Sequence, residues 1–227
     1  MIPLKDENKS ETTPFVTIII IFLNCAVFVW EALSPLEASH IARLYGAIPL
    51  NLTSFKVTPN AYQPISPLVS VITSMFLHGN ILHLGGNMLY LWIFGDNIED
   101  TLGHVRFAIF YLFSGFVAAY VFAFSGPGSE LPMIGASGAV SGVLGAYILL
   151  FPSARVITLV FFGLIWISRI PALIVIGLWA VLQLLNGFIS ETGIQSGGVA
   201  WFAHIGGFLA GLLTIRLWLP RKRYTRF

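Results

Sequence analysis

A serine, two histidines and an asparagine stand among apolar residues in this sequence. Ser137 lies in Gly135-Ala136-Ser137-Gly138, and His204 in Ala203-His204-Ile205-Gly206-Gly207. His83 and Asn87 follow His78 and Asn80. A serine hydroxyl is a weak nucleophile until an adjacent base takes its proton. A neutral imidazole can be that base and later return the proton to a leaving amine. Attack on a peptide carbonyl builds an oxyanion, which needs donors already in place. Ser137 is therefore the candidate nucleophile and His204 the candidate base. Backbone N–H groups around Gly135 and Ser137, in the field of a helix N-terminus, are candidate oxyanion donors, joined by the side chains of His83 and Asn87. No Asp or Glu is available within the membrane to orient His204. The nearest, Asp96, Glu99 and Asp100, fall at the far end of their apolar run, so the pattern is a dyad. His78 and His83 are not arranged as His-Glu-x-x-His, and no metal or cofactor is implied.

Such residues act only if apolar elements carry them to one place. Hydrophobic residues make up 56% of the 227 positions and charged ones only 10%, against about a quarter charged in soluble domains. A net charge of +2 gives no reason to expect a nucleic-acid partner. Apolar runs approach the ~20 residues that cross a bilayer as helix. Six are expected: Phe15–Leu33, Gly79–Phe94, Val105–Phe124, Ser137–Phe151, Pro171–Gly187 and Val199–Leu219. The first is longer than a signal-peptide core and has no convincing cleavage site, so it is read as retained. Cys25, the single cysteine, reads as a packing residue. Val156–Ile170 is read as an interfacial lead-in to the fifth span; a seventh span is the alternative, against which Arg169 and Pro171 count. Residues 34–77 read as an interfacial loop with Tyr45, Phe55 and Tyr62 at headgroup depth.

Charge sets the expected orientation. With six spans, one side holds Lys5, Lys9, Arg106, Arg155, Arg169, Arg216, Arg221, Lys222, Arg223 and Arg226, and the other only Arg43 and Lys56. That bias places both termini in the cytoplasm and opens the site to the opposite side. Spans two, four and six then start at one depth, which aligns His83, Asn87, Ser137 and His204. Ser137, Ser141 and Gly145 share one small-residue stripe, and His204, Gly207 and Gly211 another. Such stripes let helix backbones approach closely.

The residues resemble the rhomboid family of intramembrane proteases, in its bacterial form. The match is carried by His78-x4-His83-x3-Asn87, Gly135-Ala136-Ser137-Gly138 and Ala203-His204-Ile205-Gly206-Gly207. The resemblance implies an all-α, six-transmembrane-helix rhomboid-like bundle over residues 15–219, flanked by a short polar tail (1–14) and a basic tail (220–227). It implies a Ser137–His204 dyad with oxyanion support from His83, Asn87 and the Ser137 amide. The implied partners are single-pass membrane proteins, cut near the outer end of their helix in the plasma membrane. Entry is expected through movement of the fifth span or of the loop Ser190–Gly198. Two features depart from the pattern. The first loop lacks the Trp-Arg pair of many members, and Ser141 replaces the bulky residue often found four positions after the nucleophile. A transporter using the same polar cluster, or a non-catalytic binder of membrane helices, are the other readings.

Overall fold

A computed structural model describes residues 1–54, 63–191 and 200–220. The chain runs β1 (Ile2–Asp6), α1 (Phe15–Leu33), α2 (Ala38–Tyr45), α3 (Pro49–Thr53), α4 (Pro67–Ser74), α5 (Ile81–Leu102) and α6 (His104–Ser125). It continues α7 (Ser137–Leu150), β2 (Arg155–Phe162), β3 (Leu164–Pro171), α8 (Ala172–Glu191) and α9 (Trp201–Trp218). A helix falls at each of the six expected runs. Among the described residues, α1, α6, α9 and the Ala172–Ile189 part of α8 are long and apolar enough to cross a membrane. α7 has only 14 residues, and α5 carries Asp96, Glu99 and Asp100.

α7 forms the centre. Every residue from Gly138 to Tyr147 is buried, surrounded by α5, α6, α8 and α9, with the most extensive contact to α9. Phe94, Phe107, Phe110, Tyr111, Leu144 and Tyr147 fill the core around it. By contrast α1 buries only Thr17, Ile20 and Asn24, and it exposes large apolar side chains such as Phe22 and Leu33. An exterior of this kind suits hydrocarbon better than water.

α5 is longer than its apolar run. The Asn80 side chain accepts from the His83 amide at 2.9 Å and starts the helix, which ends only at Gly103, where φ is +80°. The added turns carry acidic side chains that hold the N-terminal segment. Glu99, fully buried, accepts from Val16 N and Thr17 N at 2.8 Å and from Thr17 Oγ1 at 2.7 Å. It also meets His104 Nδ1 at 2.6 Å. Pro14 gives α1 no side-chain cap, so a carboxylate from another helix satisfies its orphan amides. Asp96 takes Ser10 Oγ, and Asp100 takes the amide and hydroxyl of Thr12.

The all-α expectation is corrected, and two further segments gain structure. The fold is not all-α: Val156–Ile170 is not a seventh helical span but most of an antiparallel hairpin, β2–β3, which turns at Gly163 with φ +74° and leads directly into α8. Its β-branched and aromatic residues suit a pleated surface, and a single glycine supplies the turn. The short polar segment 1–14 contributes a strand. β1 pairs with β2 from Ile2↔Leu159 to Asp6↔Val156, giving a sheet of order β1-β2-β3. The segment 34–77 contains α2, α3 and α4. Ala47 and Met133 exchange backbone bonds across it, and Ser74 O accepts from Gly135 N at 2.8 Å. This loop thereby braces the strand-like stretch that leads into α7. Phe55, Lys56 and Tyr62, the loop Ser190–Gly198 apart from the end of α8, and the tail beyond 220 lie outside the described residues.

Asp6 anchors β1 by accepting from Tyr147 Oη at 2.6 Å and Asn97 Nδ2 at 2.9 Å. Burial pushes its carboxyl up to about 6, against the opposing pull of the Tyr147 bond. Below about pH 4 the group is protonated in folded and unfolded chains alike. As pH rises toward 6 the unfolded chain releases its proton while the docked one retains it. Folding therefore weakens with rising pH, by on the order of 3 kcal/mol once the folded value is passed. Thermal unfolding in detergent should show Asp6→Asn gaining on wild type between pH 4 and 7. A gap that does not change with pH would remove Asp6 as its source.

Candidate active site

Gly135 sets up the position of Ser137. Its φ of +119° favours glycine, and a Cβ there would lie 2.7 Å from two ring atoms of His83 and 3.7 Å from Ser137 Oγ. The turn makes Ser137 the first residue of α7, a helix whose Ala136 cap offers no side-chain acceptor. The α7 N-terminus therefore directs backbone N–H groups and positive potential toward the space beside Ser137. Ser141 Oγ bonds back to Ser137 O at 2.6 Å, and its side chain carries no ring that could stack on an imidazole.

His204 sits in the first turn of α9, and its Nε2 lies 2.8 Å from Ser137 Oγ. Both residues are half-buried. Glycine makes this approach possible. A Cβ at Gly207 would run into the Gly138 carbonyl, one at Gly211 into the Gly142 carbonyl, and one at Gly145 into the Phe208 carbonyl. On the other edge of the ring, His204 Nδ1 lies 2.7 Å from Gln183 Oε1 of α8. Because Oε1 only accepts, Nδ1 carries the proton, which leaves the Nε2 lone pair facing the serine hydroxyl. Trp179 and Trp201 flank the ring with centroids 6.1 Å away, tilted at 38° and edge-on at 89°.

His78, His83 and Asn87 form the third part. The rings of His78 and His83 meet edge to face at 5.1 Å. Asn87 Nδ2 lies 3.0 Å from His78 Nε2, and His78 Nδ1 lies 3.3 Å from Phe76 O. Burial pushes the His78 imidazole down to about 4, so at neutral pH it accepts from Asn87 through Nε2. An amide nitrogen has two protons, and Asn87 retains one for another acceptor. Glu31 also reaches this end of the bundle, but its carboxylate accepts from His78 N at 3.1 Å.

The structure thus brings Ser137, His204, His83 and Gly135 together, with Asn87 held behind them by His78. Gln183 and Trp179 were missed in the sequence. The available signal was the cost of a polar side chain in an apolar run, which applies to Gln183 of the fifth span as it does to Ser137, His204, His83 and Asn87. A hydroxyl and an imidazole in this geometry can make an activated nucleophile next to helix-terminal N–H donors.

Comparison with known proteins places this geometry in context. The Rhomboid domain family matches residues 66–221, which include every residue of the cluster except Glu31. The chain is 33% identical over 155 residues to Rhomboid protein 1, mitochondrial, of Saccharomyces cerevisiae, covering 66% of this chain and 41% of that protein. It is 32% identical over 154 residues to RHOMBOID-like protein 5 of Arabidopsis thaliana, covering 68% and 45%. It is 33% identical over 156 residues to Rhomboid protease GluP of Bacillus subtilis, covering 66% and 26%. The chain spans less than half the length of each of these relatives.

Proposed function

The chain belongs to the rhomboid family, and on that premise we propose that it is an intramembrane serine endopeptidase acting through Ser137 and His204. The observation that carries this reading is the 2.8 Å contact between Ser137 Oγ and His204 Nε2. Ser137 Oγ attacks the substrate carbonyl carbon as His204 Nε2 takes its proton. The resulting oxyanion receives the Ser137 N–H, the spare Asn87 N–H and the His83 ring N–H. The intermediate collapses, the C–N bond breaks, and the imidazolium returns its proton to the leaving amine. Water, deprotonated by His204, then attacks the Ser137 ester and releases the new carboxylic acid.

In this reading α5 and α7 cross the membrane with the other four helices, giving six spans. Ten of twelve Lys and Arg residues lie on the side of the termini, which is then cytoplasmic, with the site opening outward from the plasma membrane. α5 and α7 tolerate lower apolarity or shorter length because the bundle buries much of their surface. The substrates are single-pass membrane helices, which the bilayer confines to the plane of the site. They enter past α8 or the loop that follows it, and no cofactor takes part.

The test is cleavage of fluorescent single-helix peptides co-reconstituted with the protein in liposomes. Wild type is expected to cut at least one of them, and Ser137→Ala none. A panel of helices left intact by folded wild type, or cleavage surviving Ser137→Ala, would overturn the proposal.

A further inference from the structure

His204 has a second hydrogen-bond partner, which is neither acidic nor on the helices that carry the pair. We propose that Gln183 of α8 is a positioning residue for His204, selecting the tautomer in which Nε2 faces the serine, with Trp179 holding the ring from one turn earlier. This rests on the reading of Ser137 and His204 as a catalytic pair.

Several observations converge on Gln183. Its Oε1 lies 2.7 Å from His204 Nδ1, and the residue is 8% exposed while Leu182, Leu184 and Leu185 beside it are each more than 40% exposed. One amide thus points inward from a helix whose outer surface is apolar, and burying it is costly without a partner. Trp179 lies four residues earlier, on the same helix face, and contacts both His204 and Phe208. A neutral imidazole carries one proton on either nitrogen, and only the Nδ1–H form leaves Nε2 free to accept from Ser137 Oγ. Without Gln183 the ring can flip or take the other tautomer, and the serine then has no base. A neutral amide orients the imidazole but adds no charge to stabilise the imidazolium. Gln183 thereby fills the orienting part of an acid's role in a triad, without its electrostatic part.

The substitutions separate these effects. Gln183→Met keeps the volume and removes the acceptor; Gln183→Glu keeps an acceptor and adds charge. Among the described residues, His83 of α5 is the other ionisable side chain that acts on His204, and it is present in both variants. With the liposome substrate, Gln183→Met is expected to lower kcat by about tenfold or more, the equivalent of one orienting hydrogen bond, with little change in KM. Gln183→Glu should recover most of kcat and move the acid limb of the pH profile upward by about one unit or more. Independently of turnover, 15N spectra of histidine-labelled protein, assigned by the signal lost in His204→Ala, should show His204 neutral and protonated at Nδ1. Gln183→Met should mix the two tautomers. A wild-type proton on Nε2, a Gln183→Met enzyme with full kcat, or unchanged tautomers in that variant would overturn the proposal. If wild type cleaves nothing but keeps its Nδ1 proton in a Gln183-dependent way, the protease reading fails while the hold of Gln183 on His204 stands.

Discussion

Purified protein in detergent is expected to react with a fluorescent fluorophosphonate at one residue, Ser137. The probe transfers phosphorus only to a hydroxyl whose proton can leave, and His204 Nε2 is positioned 2.8 Å away to receive it. Ser137→Ala should abolish labelling, since no other serine hydroxyl among the described residues has a histidine ring nitrogen as its hydrogen-bond partner. His204→Ala should slow labelling by about a thousandfold or more, because the nucleophile and its base act as one unit. Ser137→Ala should unfold near the wild-type temperature, whereas His204→Ala should remain folded but melt somewhat earlier, because it leaves the buried Gln183 amide without its partner. Labelling that persists in Ser137→Ala would show that another residue is the activated nucleophile.

Gly207→Val should have the next largest effect, although Gly207 carries no chemistry. Its Cα faces the Gly138 carbonyl so closely that even a Cβ would overlap it. A branched side chain would force α7 and α9 apart there, three residues from His204. Overpacking of this kind costs about 1–3 kcal/mol. A displacement of about 1 Å at a reacting pair costs on the order of a hundredfold in rate. The variant is therefore expected to label at least a hundredfold more slowly and to melt earlier. Leu213→Ala, on the exposed side of the same helix, should leave labelling unchanged. Wild-type labelling by Gly207→Val would mean that the Gly207–Gly138 approach does not set the distance between Ser137 and His204.

The residues of the cluster were legible in the sequence because a polar side chain in an apolar run is expensive. Ser137, His204, His83 and Asn87 are conspicuous for that reason, and the glycines at 145, 207 and 211 mark the faces along which helices can approach. The helical runs themselves were equally legible, with α5 running past its apolar stretch as the main exception. Asp96, Glu99 and Asp100 looked like a polar helix end, and nothing nearby indicated that their acceptors were reserved for Ser10, Thr12, Val16 and Thr17. The β2–β3 hairpin was misread because a short apolar run lacks the periodicity that separates strand from buried or interfacial helix.

The sequence by itself determined a membrane-type chain, its helical runs and the side chains able to do chemistry, because apolarity and the cost of buried polarity are local properties. Only the tertiary structure decided which atoms those side chains meet. Ser137 and His204 are 67 positions apart, Gln183 joins them from a third helix, and β1 finds its partner strand beyond α7. The physical reason is that hydrogen bonds and backbone approach are fixed by helix rotation and strand register, which depend on packing across the whole bundle. Composition along one segment carries no record of them.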